Sequence, residues 1–131
     1  MKKDIDIPVV EDVFVAVVLE ENESFRSMDW NAYLVNDRNV PLEMVLIVTR
    51  GYDQKDTTST MRHQLEELPA KAYAKIEFLQ EEVLRLNNEF SVSYFADYRM
   101  YHKTFVFPKG TIREEDMEEI PQLERKGVVQ K

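Results

Sequence analysis

The feature of this sequence that most limits its fold is a series of short stretches rich in β-branched and aromatic residues, separated by turn-forming residues. Such stretches are typical of β-strands. In the clearest one, Phe90, Val92 and Tyr94 alternate with two serines, as expected for a strand with one buried face. The sequence predicts strands at residues 9–19, 30–36, 42–52, 90–96 and 100–107, an edge strand at 57–65 and a hairpin turn at 97–99.

The segment 69–86 fits two patterns. Its apolar residues from Ala72 to Leu86 recur every three or four positions, as on one face of an amphipathic helix. The residues from Ala70 to Phe78 also alternate without exception, as in a strand. We favour a strand through Phe78 followed by a helical turn at 80–84, because the other strands need a second layer over their apolar face. The alternative is an α+β fold, with one helix at 69–86 on an antiparallel sheet.

The predicted fold is therefore mainly β: an antiparallel β-sandwich of immunoglobulin-like type, with at most one or two short helical turns. A chain of 131 residues fits one core. The alternating pattern ends after Pro108, and the sequence beyond it carries an acidic cluster at 114–119. We expect residues 1–112 to form a single β-sandwich domain and residues 113–131 to form an acidic, polar C-terminal tail.

Composition excludes several kinds of site. The chain has no cysteine, so it can form no disulfide, thiolate zinc site or thiol nucleophile. It has three glycines, too few for a phosphate-cradling loop, and two histidines without metal-ligand spacing. Lys and Arg total 17 against 25 Asp and Glu, a net charge of −8 that argues against a nucleic-acid partner. We expect no catalytic residue, no metal and no cofactor.

The N-terminal region indicates a soluble, cytoplasmic protein. Asp4 and Asp6 interrupt the sequence where a secretory signal needs an apolar stretch. The longest apolar run, residues 13–19, is far shorter than the roughly 20 residues needed to span a bilayer. We therefore expect no association with a membrane.

The most suggestive local feature is a possible binding spot at Arg50, Tyr52, Arg62 and His63. If the strands that carry these residues pair, two arginines come close together beside an aromatic ring and an imidazole. Arginine presents a planar fork that can bind a carboxylate or a phosphate. The opposing interpretation is that both arginines pair with acids on neighbouring strands.

Residues 29–36, 41–52 and 58–63 together carry a resemblance to known sequences. They resemble a group of small, uncharacterised bacterial proteins, some of which carry the label phenylalanyl-tRNA synthetase alpha subunit, and the resemblance runs over most of residues 1–112. A class II synthetase site resembles a large antiparallel sheet that holds ATP with arginines and a glycine-rich strand. The three glycines here are isolated and cannot form such a strand. The resemblance implies kinship and no catalytic residue.

The absence of any catalytic constellation leads to the functional hypothesis. We expect a non-enzymatic, cytoplasmic module that contacts a protein partner or associates with itself, because long apolar strands have edges that must be covered. The alternative is a regulatory protein that binds a small anionic ligand at Arg50, Tyr52, Arg62 and His63.

Overall fold

β-Strands dominate the computed structural model, which describes residues 8–131. No helix within this range has the length and apolar character needed to cross a membrane. In this range we find nine strands and two single turns of 3-10 helix, at Glu81–Val83 and Glu114–Asp116. The strands are β1 (Val13–Asn22), β2 (Ser27–Asn36), β3 (Leu42–Tyr52), β4 (Met61–Leu68), β5 (Ala72–Leu79), β6 (Asn87–Ala96), β7 (Arg99–Phe107), β8 (Glu118–Ile120) and β9 (Arg125–Gln130).

These strands form two antiparallel sheets that pack face to face. The first sheet has the order β5-β2-β1-β9-β8 and the second the order β4-β3-β6-β7. Strands adjacent in sequence pair within a sheet at β1 and β2, at β3 and β4, and at β6 and β7. The chain crosses between the sheets after β2, β4, β5 and β7. The prediction of an antiparallel β-sandwich is confirmed.

The core lies between the sheets. β3 and β6 bury mainly alternate residues, whereas β1 and β2 each bury six consecutive residues. Val15 and Leu34 of the first sheet are buried, as are Ile47, Phe90 and Phe107 of the second. The rings of Phe90 and Phe107 meet edge to face with centroids 5.7 Å apart, an arrangement that aromatic pairs favour. The alternation that the sequence shows around Phe90 is observed in β6, where buried residues alternate with half-buried ones.

Residues 69–86 form a strand and a short turn, so the α+β alternative with one long helix is wrong. β5 pairs along its length with β2, and the 3-10 turn at Glu81–Val83 follows it. The alternation of β5 is broken once, where the register shifts opposite Ala32 and Tyr33. Ile76 is the extra residue of this bulge, and the side chain of Glu77 consequently reaches the second sheet.

Residues 113–131 are part of the first sheet and do not form the acidic, polar tail that we predicted. β9 pairs with residues 15–18 of β1, and β8 pairs with β9. Ile120, Leu123 and Val128 are buried. These apolar residues are sparse among acidic ones, but they cover the edge that β1 would otherwise leave exposed.

Candidate functional site

The four residues of the predicted anion-binding spot lie on neighbouring strands but on two faces of the second sheet. β3 and β4 pair, with His63 opposite the buried Ile47. Successive residues of a strand point to opposite faces. Arg62 therefore lies on the outer face with Arg50 and Tyr52, while His63 faces the first sheet. The structure brings Arg50, Tyr52 and Arg62 onto one face and separates His63 from them.

The guanidinium of Arg50 is already paired with an acid. Its Nε lies 3.0 Å from Glu89 Oε2 and its Nη2 lies 3.3 Å from Glu89 Oε1. The hydrogen bond to Glu89 raises the pKa of Arg50, and the guanidinium also lies 4.6 Å from the ring centroid of Tyr52. Arg62 forms no ion pair within residues 8–131. A bound carboxylate or phosphate would have to displace Glu89, which weighs against an anion at Arg50.

His63 instead takes part in a cluster that joins the two sheets. The bulge in β5 directs Glu77 toward β3 and β4, where Glu77 Oε1 accepts a 2.6 Å hydrogen bond from Thr49 Oγ1. The same oxygen lies 2.8 Å from His63 Nε2. The Thr49 hydroxyl, which donates to this carboxylate, is itself buried. The cluster is a polar link between β5 and the second sheet.

A cleft of about 330 Å³ opens beside this cluster, between the end of β3 and the 3-10 turn at Glu81–Val83. Several of its polar groups hydrogen-bond within the protein. Thr58 Oγ1 accepts a 2.7 Å hydrogen bond from the N–H of Gly51, and Asn88 Nδ2 donates to the carbonyls of Val83 and Leu86 at 2.9 and 3.1 Å. These hydrogen bonds hold the surrounding loops.

A second polar cluster lies on the first sheet and fixes β9 to its neighbours. Glu20 Oε1 accepts hydrogen bonds from Asn31 Nδ2 at 2.7 Å and from Tyr33 Oη at 2.5 Å. Glu20 Oε2 accepts one from Arg125 Nη1 at 2.9 Å. Burial, followed by the hydrogen bond to Glu20, raises the pKa of Tyr33. Because the four residues come from β1, β2 and β9, this cluster also serves the fold. Within residues 8–131, no group of three or more His, Cys, Asp or Glu side chains could hold a metal ion.

An exposed apolar surface lies at one end of the second sheet. Met44 is 70% exposed, Phe95 40% and Met100 56%, and Tyr98 is fully exposed. Phe95 pairs with Met100 across β6 and β7. Met44, Phe95 and Tyr98 line one groove of about 510 Å³. We call this surface the Met44/Tyr98 groove; its other lining residues are Val40, Pro41, Glu43 and Asp97.

The backbone of this groove is unusual at three residues, which lie in two places. Met44 has φ 50°, at the point where β3 bulges against β6. Asp97 and Tyr98 have φ 51° and 63° and form the two-residue turn between β6 and β7. Glycine is the usual residue at such a bulge, and Asn-Gly or Asp-Gly is the usual pair in such a turn. The chain therefore places Met and Tyr where the backbone favours glycine.

Sequence reasoning missed the Met44/Tyr98 groove, and one signal could have indicated it. In the predicted hairpin, Asp97 is followed by Tyr98 where a glycine would be expected. The bulge at Met44 has no such signal, because it depends on how β3 pairs with β6.

The chain matches no protein-family model, and comparisons with curated proteins and with solved structures find no significant match. Its function must therefore be argued from its own surface.

Proposed function

We propose that this protein is a non-enzymatic protein-interaction module that binds its partner through the Met44/Tyr98 groove. The proposed setting is the cytoplasm. Exposed apolar clusters framed by polar residues are typical of surfaces that contact another protein. Methionine suits such a surface because its flexible side chain adapts to different partners.

One observation carries the proposal. Seven non-glycine residues within 8–131 have positive φ. Five of them are charged, namely Asp12, Arg26, Lys71, Asp97 and Glu124. Aspartate tolerates this conformation. The two apolar ones are Met44 and Tyr98, and both line the same groove. A left-handed backbone costs a side chain such as these about 1–2 kcal/mol. Strain of this kind, together with exposed apolar side chains, points to a role beyond the stability of the fold.

We further propose that the sandwich is immunoglobulin-like, and the strand order supports this. In that fold the sheets contain strands A, B and E on one side and C′, C, F and G on the other. Here β1, β2 and β5 take the places of A, B and E, while β4, β3, β6 and β7 take those of C′, C, F and G. The Met44/Tyr98 groove then includes the B–C and F–G loops, which form part of the binding surface in variable domains. This is an analogy of position, which by itself assigns no function.

The test is a capture experiment with three forms of the purified protein and a lysate of its native host. The first form is wild type and the second is Met44→Gly/Tyr98→Gly, which removes both side chains and suits both backbones. The third is Phe25→Ser, a control that removes an 80% exposed aromatic ring from the turn between β1 and β2, at the other end of β2.

We expect the wild-type and Phe25→Ser proteins to retain the same partner and the double variant to lose it. A homodimer in light scattering that the double variant loses would also support an interaction module. Equal capture by all three forms, or no capture with a strict monomer, would contradict the proposal.

A further inference from the structure

Carboxylates surround the Met44/Tyr98 groove. Glu43 and Asp97 belong to its lining. Glu66 shares a neighbouring groove with Met44, and Glu67 lies opposite Glu43 on β4. The nearby bases are fewer: Arg38 contacts Asp97 at 3.5 Å, and Arg99 follows Tyr98 in sequence. The rim of the groove is therefore acidic, on a chain whose net charge is −8.

The pairing of Glu43 with Glu67 adds a more specific feature. Two like charges directly opposite each other on antiparallel strands destabilise the pair. Both side chains are exposed. Glu43 also lies opposite Phe95 of β6, which lines the groove. A cation placed between the two carboxylates would relieve their repulsion. Bases on a partner that enters the groove would supply such a cation.

We propose that the partner of the Met44/Tyr98 groove is an apolar peptide segment that carries lysine or arginine. This inference rests on the proposed function and names the chemistry of the partner. The apolar side chains would contact Met44, Phe95 and Tyr98, and the bases would lie near Glu43 and Glu67. A second copy of this chain fits less well, because a symmetric contact would bring two acidic rims together.

The probe is a phage-displayed library of random peptides, selected on the immobilised full-length protein. We expect the enriched peptides to combine apolar residues with a positive net charge. Synthetic representatives should bind wild type and the Phe25→Ser control, lose binding to Met44→Gly/Tyr98→Gly, and bind more weakly as salt is raised.

A pair of charge variants tests the acidic rim directly. Glu43→Gln/Glu67→Gln should weaken the binding of a representative peptide by about two- to five-fold for each carboxylate, the range that exposed ion pairs show. Glu21→Gln/Glu23→Gln makes the same change of net charge at the other end of β2 and should leave binding unchanged. The first variant removes a repulsion, so it should also unfold at the same temperature as wild type or higher.

The inference is overturned by enrichment of neutral or acidic peptides, by no enrichment at all, or by equal weakening with both charge variants. A homodimer through the groove would overturn it as well, while leaving the proposed function in place. If the groove variants also retain every partner captured from the lysate, the proposed function itself fails. The two ideas can therefore fail separately.

Discussion

Replacing Tyr98 by glycine should stabilise the protein, although it removes a large side chain. Tyr98 is fully exposed, so its ring contributes almost no burial that could be lost. Its φ of 63° costs a non-glycine residue about 1–2 kcal/mol. Glycine also gives the unfolded chain more conformational freedom, which lowers the free energy of unfolding by about 0.5–1 kcal/mol. The expected net change is about 0.5–1 kcal/mol in favour of the folded state.

Calorimetry and urea unfolding can measure a change of this size. For a domain of this length the melting temperature should rise by about 2–4 °C. The matched control is Tyr98→Ala, which removes the same ring but keeps a Cβ in the left-handed backbone. Its stability should stay close to that of wild type, and Tyr98→Asn should fall between the two, because asparagine tolerates this conformation.

The reasoning is refuted if both Tyr98→Gly and Tyr98→Ala lower stability by similar amounts. That result would mean that the ring, and not the backbone, determines the energy at this position. A gain shared equally by the two variants would also refute it, since alanine does not relieve the strain.

Three further predictions concern the fold. Burial raises the pKa of Tyr94 from 10.0 to about 12. The wild-type protein should therefore lose about 2–3 kcal/mol of its free energy of unfolding as the pH rises from 10 toward 12. Tyr94→Phe has no hydroxyl to ionise and should not show this loss in urea unfolding at high pH. Gly127→Ala should cost about 1–3 kcal/mol in urea unfolding, because the new Cβ would lie 2.5 Å from the carbonyl oxygen of Val17. Glu77→Ala should cost about 1–3 kcal/mol in the same assay by leaving its two hydrogen-bond partners without an acceptor, and should leave binding at the Met44/Tyr98 groove unchanged.

The sandwich could be predicted from the sequence because its strands show their period locally. Alternation around Phe90 predicted β6, and the unbroken alternation from Ala70 was correctly preferred over the helical spacing. The C-terminal strands could not be predicted in this way. β9 becomes part of a sheet only because β1 offers an edge, and that edge exists only after β1 has paired with β2.

The candidate site was also predictable only in part, and for the same reason. Strand alternation alone already places Arg62 and His63 on opposite faces, so their separation follows from the sequence. The pairing of Arg50 with Glu89 does not, since it depends on the register between β3 and β6. The exposure of Met44 depends on a bulge in that same register. The alternation within a strand predicts which residues share a face. The register between strands that are distant in sequence determines which side chains those residues contact.

The Met44/Tyr98 groove is informative because stability and binding should respond in opposite directions there. A residue kept only for the fold is one whose loss lowers the melting temperature. A residue exposed by accident is one whose loss leaves binding unchanged. Tyr98→Gly should raise the melting temperature and weaken the binding of the partner, a combination that neither role produces. Measuring both properties on the same purified variant therefore separates a binding residue held under backbone strain from an ordinary surface side chain.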